Sequence, residues 1–246
     1  MKSNKKTALI TGASQGFGLA LAEALAVKGW QLLINARHAK ALLAAQRHLE
    51  QFTKVEAISG DVRDEIHLLQ FAERLHELGW QLDLVVNNAS TIGVSPQPAL
   101  LDYEVEAFHN IMHTNVIAPI SLLQKVAPFL SDHACILNLS SDAAVQAYEG
   151  WGGYGASKAG LDHLTSIFAT ENPQWRVFAF DPGDMRTALH QAAFPEEDIS
   201  DRPLPEKVAV PAALQLIIGD FPSGRYEAGQ LQVKSALPYP DYLLRK

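Results

Sequence analysis

The sequence predicts an α/β fold built as one doubly wound parallel sheet with helices on both faces. Two observations lead there. Short runs that are apolar at nearly every position recur along the chain, with longer segments of helical composition between them. Strands buried on both faces read this way, and they belong to parallel sheets whose crossovers are helices. A glycine-rich stretch also follows the first run directly and opens into an Ala/Leu segment, the layout of strand, tight turn and helix.

In order, the runs are "TALIT" at 7–11, "QLLIN" at 31–35, "VEAIS" at 55–59, "LDLVVN" at 82–87, "CILNLS" at 135–140 and "RVFAFD" at 176–181. Helices are expected between them, most clearly "GLALAEALAVKG" at 18–29 and "EIHLLQFAERLHELG" at 65–79. The stretch 184–211, "DMRTALHQAAFPEEDISDRPLPEKVAVP", shifts to prolines and acids. It reads as a long excursion, with a substrate lid over 184–205, followed by one more helix near 206–218; loops of this length inside a domain are usually functional or disordered. At 246 residues the chain is expected to form a single domain over 1–246.

Composition narrows the function. A formal charge of −7 argues against nucleic acid or an anionic membrane as the main partner, since both want a basic surface. No run of apolar residues approaches the length of a membrane span, and the N-terminal "TALI" is too short for a signal peptide core. A cytoplasmic protein with a small-molecule substrate is the expectation. The one cysteine, Cys135, rules out an intrachain disulfide and reads as a buried, inert thiol. His109 and His113 stand four apart, but Asn110 occupies the place where a zinc protease carries glutamate, so no metal is expected.

After the first strand comes "TGASQGFG", with Gly12, Gly16 and Gly18. Glycines here let the backbone turn sharply and approach a pyrophosphate, which sits at the positive N-terminus of the next helix, as in a Rossmann-type dinucleotide site. The end of the second strand, about 20 residues on, meets the adenosine ribose. It reads "NARH", with Arg37 and no acid; an arginine suits the 2′-phosphate of NADP(H) rather than the bare hydroxyl of NAD(H).

Six motifs occur in order: "TGASQGFG", "NNAS" at 87–90, "TNV" at 114–116, "LSSD" at 139–142, "YGASK" at 154–158 and "DPGDMRT" at 181–187. Together they resemble the short-chain dehydrogenase/reductase family over essentially the whole chain. The resemblance implies a catalytic set of Asn115, Ser141, Tyr154 and Lys158, with Ser141 placed by its spacing of 13 from the tyrosine. It implies cofactor contacts from Gly12, Ser14, Gln15, Gly16, Phe17 and Gly18. Asp61 and Val62 would lie at the adenine, Asn88 and Ala89 along the cofactor, and Pro182, Gly183 and Thr187 at the nicotinamide end. "YEGWGGY" at 148–154 is further similar to the sepiapterin reductase branch. A homodimer or homotetramer, pairing the helices that bear Asn115 and Tyr154, is also implied.

The residue types suit carbonyl–alcohol interconversion, which needs a hydride at carbon and a proton at oxygen. Tyr154 and Lys158, at i and i+4, share a helix face. An ammonium about 4 Å from the phenol at an effective dielectric of about 20 favours the phenolate by roughly 4 kcal/mol, which would bring Tyr154 toward the neutral range where an acid–base catalyst works best. Ser141 would donate to the carbonyl oxygen, Lys158 would bond the nicotinamide ribose, and Asn115 would hold a water that passes protons to Lys158. Gly152 and Gly153 would give the loop before the helix room to bend around substrate. Tyr148 and Trp151 would form an aromatic pocket wall, with Met185, Leu189 and Phe194 in the lid.

Two departures stand out. Ser90 replaces the glycine that usually closes the fourth-strand motif, which implies a changed pocket wall. The C-terminal "GQLQV" resembles the family's last strand, but the Asp-Gly-Gly usual after it is missing. A catalytically idle NADP-binding regulator on the same scaffold is the alternative reading; such relatives typically lose the tyrosine or lysine, and both are present here.

Overall fold

The computed structural model describes residues 5–231. Among these residues, seven parallel strands form the sheet: β1 (Thr7–Ile10), β2 (Gln31–Ala36), β3 (Val55–Ser59), β4 (Leu82–Asn87), β5 (Leu130–Leu139), β6 (Arg176–Asp181) and β7 (Gly224–Glu227). Their order is β3-β2-β1-β4-β5-β6-β7. The chain winds outward from β1 in one direction, then crosses to β4 and winds in the other. That reversal opens a crevice at the carboxyl ends of β1 and β4, where doubly wound sheets take ligands.

The helices are α1 (Gly16–Val27), α2 (Ala39–Leu49), α3 (Glu65–Leu78), α4 (Val105–Met112), α5 (Ala118–Val126), α6 (Gly152–Glu171), α7 (Ala188–Ala193) and α8 (Ala209–Ile218). Strand side chains alternate between faces, and both faces are covered. Ala8, Ile10, Leu32, Ile34, Leu84 and Val86 pack with α1, α2 and α8, while Leu9, Leu33 and Val85 pack with α3 and α5. This two-sided burial is why the strands read as unbroken apolar runs.

Three boundaries differ from the sequence reading. β5 begins at Leu130, five residues early, because Leu130 pairs with Leu82 before a register irregularity carries the ladder on to Leu84 and Cys135. The intervening Asp132 and His133 are exposed, so no apolar run announces that part. Among the described residues the last strand is Gly224–Glu227, beside β6; "GQLQV" begins only after it, in a 3-10 turn over Ala228–Gln230, and from 232 on it lies outside the described residues. The helix expected near 206–218 starts at Ala209.

A buried polar chain fixes α6 to the sheet. Asn87 Nδ2 donates to Asn138 Oδ1 (2.7 Å), Asn138 Nδ2 donates to Thr165 Oγ1 (2.8 Å), and Thr165 Oγ1 donates to the Leu161 carbonyl (2.7 Å). Fully satisfied buried networks of this kind rigidify what they join. Here they join β4, β5 and α6. Among the described residues, no helix is long and apolar enough to cross a membrane.

Candidate active site

A cleft of about 750 Å³ runs along the carboxyl edge of the sheet, from the β1–α1 turn and Arg37 at one end to Tyr154 and Phe194 at the other. Of the expected cofactor residues, Gly12, Ser14, Gln15, Gly16, Phe17, Arg37, Asp61, Val62, Asn88, Ala89, Pro182, Gly183 and Thr187 line it, as do Ser141, Tyr154 and Lys158. Gly18 and Asn115 do not, and each has a different task.

The turn is built from the sequence upward. Gly12 (φ 64°) and Gly16 (φ 56°) take left-handed conformations that side chains rarely adopt. Gly18 faces the turn from inside α1, where a Cβ would meet the Gly12 carbonyl oxygen at 2.5 Å. It is a packing glycine that lets the helix approach the loop. Thr11 Oγ1 accepts from the backbone N–H groups of Asn88 and Ala89 (both 3.0 Å), and Asn88 Nδ2 donates to the carbonyls of Thr11 and Gly12. Asn88 thus braces the loop as well as lining the cleft. The Gln15 side chain does not cap α1, and the first turn carries no acid, so the helix presents its amide donors and positive end uncompensated.

At the other end of the turn-proximal half, Asn35 is buried and donates to the carbonyls of Ile58 and Gly60, tying β2 to β3. Arg37, one residue beyond β2, is exposed at the cleft. The nearby carboxylate, Asp61, is held by Arg63 through Nε–Oδ1 (3.2 Å) and Nη2–Oδ2 (2.8 Å). That pairing, with Arg37 adding its charge, keeps the Asp61 carboxyl below its usual range.

Tyr154 and Lys158 lie on α6, both buried. Lys158 Nζ donates to the Leu139 carbonyl (2.6 Å) and sits 5.6 Å from the centre of the Tyr154 ring. The charge balance is the reverse of the sequence expectation. Burial pushes the Tyr154 phenol above its ordinary value, against the favourable neighbouring Ser141 hydroxyl. Burial likewise brings Lys158 down to about 8, with Asp162 and Asp181 working against that fall. Desolvation penalises both charged forms and is the largest influence on each. The pair is therefore tuned to a protonated phenol, the form that donates a proton.

Ser141 stands at the end of β5. Its hydroxyl donates to Asp142 Oδ1 (2.8 Å) and accepts from the Ala143 N–H (3.2 Å). Asn115 lies in a π-turn, His113–Ile117, beneath the cleft. Its Oδ1 accepts from Ser90 Oγ and Thr91 N, and its Nδ2 donates to the Thr91 carbonyl and Ser157 Oγ. Through these bonds Asn115 braces the β4 loop against α6. Ser90, in the place of the usual glycine, lines the cleft and supplies one of those bonds. Ser157, which the sequence did not single out, closes the network through the Tyr154 carbonyl (2.7 Å).

The far wall is aromatic. Trp151 packs edge-on to Tyr154 (ring centres 5.8 Å) and against Phe194 (5.6 Å) and Tyr148 (6.1 Å). Met185, Leu189 and Phe194 line the cleft from the segment around α7, whose first turn is capped by Thr187 Oγ1 accepting from His190 N (3.2 Å). Gly152 and Gly153 lie inside α6, not in a loop before it. A Cβ on either would meet Leu100 or Tyr103 at 2.7 Å, so they allow close packing in place of the bending expected. Cys135 is buried on β5 with its thiol pushed up to about 12 by burial, which leaves it unreactive.

A family model described as short chain dehydrogenase matches residues 6–198. The chain is 34% identical over 173 residues to the rhamnolipids biosynthesis 3-oxoacyl-acyl-carrier-protein reductase of Pseudomonas aeruginosa, across 68% of this chain and 66% of that one. It thus spans just under two thirds of that relative's length. To sepiapterin reductase of Meriones unguiculatus it is 32% identical over 199 residues, 75% of this chain and 76% of the relative. To an NADPH-dependent pterin aldehyde reductase of Arabidopsis thaliana it is 31% identical over 229 residues, 87% and 90%. Among solved structures, a short chain dehydrogenase from Shigella flexneri complexed with NADP is similar with a TM-score of 0.85 at 27% identity, over 92% of this chain and 98% of that one.

Proposed function

The chain belongs to the short-chain dehydrogenase/reductase family, and on that premise we propose that it is an NADP(H)-dependent oxidoreductase interconverting a carbonyl and an alcohol, with Tyr154 as general acid/base. The observation that carries the reading is convergence. Ser141, Tyr154 and Lys158 meet at one end of a cleft whose other end is a left-handed glycine turn on an uncapped helix N-terminus.

The residues present fit the cofactor. The α1 terminus and its turn suit a pyrophosphate. Arg37 is exposed at the adenosine end, and the acid beside it, Asp61, is already paired with Arg63. No carboxylate is thereby left to compete for a ribose hydroxyl, and the guanidinium suits a 2′-phosphate. Pro182, Gly183 and Thr187 would hold the nicotinamide end. Bound there, the dihydronicotinamide supplies the hydride.

The protein's own part is the proton and the orientation. Tyr154, kept protonated by burial, donates to the carbonyl oxygen as negative charge develops. Ser141 turns its hydroxyl from Asp142 to the same oxygen. Lys158 restores the tyrosine's proton, being close to its own neutral form at about pH 8. The wall of Trp151, Tyr148 and Phe194 favours a planar or apolar carbonyl compound and excludes water. A pterin or diketone is the substrate class to test first, since two relatives are named for pterin reduction. The same proposal includes a lid at 184–205 and a homodimer or homotetramer.

The test is consumption of NADPH against ketones, aldehydes, diketones and pterins, with NADH in parallel and Tyr154→Phe as control. Turnover that requires NADPH and disappears in the variant is expected. NADPH binding with no turnover on any of these carbonyls would instead mark an idle NADP-binding regulator.

A further inference from the structure

Arg225 was not among the residues that the sequence singled out, yet its guanidinium is the meeting point of three elements beside Ser141 and Asp181, which line the cleft. It projects from β7, the edge strand. Nε donates to Asp162 Oδ2 on α6 (3.1 Å), and Nη2 donates to Asp181 Oδ2 at the end of β6 (2.9 Å) and to the Ser141 carbonyl at the end of β5 (3.1 Å). Nη1 pairs with Glu227 (2.5 Å). Asp181 in turn accepts from the Gly183 N–H through its other oxygen (3.0 Å), so the same guanidinium reaches the turn that follows β6. Asp162 lies one helical turn beyond Lys158. Both Asp162 and Asp181 are largely withdrawn from solvent, with side chains 14% and 7% exposed.

An arginine is the side chain that can do this. Its donors diverge in a rigid plane and can bond a helix carboxylate, a strand-end carboxylate and a backbone oxygen together, whereas an ammonium on a flexible stem is a point charge. The sheet does not need Arg225 to bring β5 and β6 together, because their register runs through five pairs from Cys135–Arg176 to Leu139–Phe180. What the ladder does not reach is Ser141, two residues past its last pair. Its carbonyl closes a local turn by accepting from the Ala144 N–H (3.0 Å), and its bond to another element comes from the β7 guanidinium.

We propose that Arg225 is a positioning residue: it fixes the backbone of Ser141 relative to α6, and so aims the serine hydroxyl at the oxygen that Tyr154 protonates. This rests on the carbonyl-reductase reading above. It is distinct from a charge role, because the decisive bond is to a neutral carbonyl. Misplacing a catalytic group by about 1 Å costs up to roughly a hundredfold in rate.

The test uses the full chain, NADPH and the carbonyl compound that the wild type reduces fastest. Arg225→Lys keeps the cation beside Asp162 and Asp181 but cannot bond all three partners. Arg225→Met removes the cation too, and if it does not fold, the lysine variant decides. The expected result for Arg225→Lys is an unchanged melting temperature and NADPH affinity, with kcat about ten- to a hundredfold lower and KM for the carbonyl little altered. A double-mutant cycle separates positioning from general weakening. In a Ser141→Ala background, Arg225→Lys should cost almost nothing further, since residues acting as a unit are not additive. Additive losses, a wild-type kcat in Arg225→Lys, or a kcat that falls only together with melting temperature and NADPH affinity would each overturn the proposal. A wild type that reduces no carbonyl defeats the reductase reading itself, and this inference with it.

Discussion

Replacing Lys158 by methionine keeps the long unbranched side chain and removes a buried charge. The energetic consequence follows from its surroundings. Lys158 is 3% exposed, and its pKa falls from the usual 10.5 to about 8. At about 1.4 kcal/mol per pH unit, that fall is a penalty of about 3 kcal/mol on the folded state whenever the group is protonated in both states. The penalty is present in full below pH 8. Between pH 8 and 10.5 the unfolded chain holds a proton that the folded chain has released, so wild-type stability rises with pH and the penalty disappears. Against this, the methionine variant loses the bond to the Leu139 carbonyl, which costs about 1 kcal/mol. The net expectation at pH 7 is a variant about 2 kcal/mol more stable, or about 4–8 °C higher in melting temperature for a domain of this size. By pH 10 the advantage should be nearly gone. Tyr154 does not confuse the comparison, since both proteins keep it and its raised pKa matters only above pH 10, where the unfolded phenol ionises. Thermal melts of cofactor-free protein at pH 7 and pH 10 give the answer, alongside the loss of turnover. A methionine variant that melts at or below the wild type at pH 7 would refute the idea that this lysine is held at the expense of stability.

Other outcomes are equally specific. Tyr154→Phe should lower turnover by about 10²–10⁴-fold while NADPH titration shows unchanged binding; retained turnover would remove the tyrosine from its role. Arg37→Gln should raise the KM for NADPH by roughly ten- to a hundredfold, the worth of charge-assisted bonds, and leave that for NADH alone. Equal effects on both cofactors would mean that the guanidinium does not read the 2′-phosphate. Gly18→Ala should destabilise the protein by about 1–3 kcal/mol through overpacking, because the new methyl meets the Gly12 carbonyl; an unchanged urea midpoint would count against that packing role.

Much of this protein could be read from its residues one at a time. The strands are apolar on both faces because helices cover both, so six of the seven announce themselves as continuous runs. The seventh, "GRYE", does not, because among the described residues it lies at the edge of the sheet, paired with β6, with every residue partly exposed. The glycine turn, Arg37 and the Tyr154–Lys158 spacing were legible for a similar reason: each is a local requirement of chain geometry or charge that particular residue types satisfy.

The tertiary structure decided what depends on residues distant in sequence. Gly18 and Asn115 carry family motifs, but only the packing shows that one admits the turn to the helix and the other braces Ser90, Thr91 and Ser157. The protonation of Tyr154 and Lys158 was not legible from sequence, because spacing gives a Coulomb distance but not a dielectric. Burial of both groups reverses the expected direction for Tyr154. Arg225 was invisible because, apart from Glu227, its partners lie 44, 63 and 84 positions away, and no local pattern encodes bonds to a helix and two other strand ends. By itself, the sequence determined the fold and the cofactor class and singled out the side chains proposed to carry the chemistry, since those follow from local periodicity and residue type. Where the protons rest, and what ties the Ser141 backbone to β7, were decided by desolvation and long-range contact, which exist only once the chain has closed around the site.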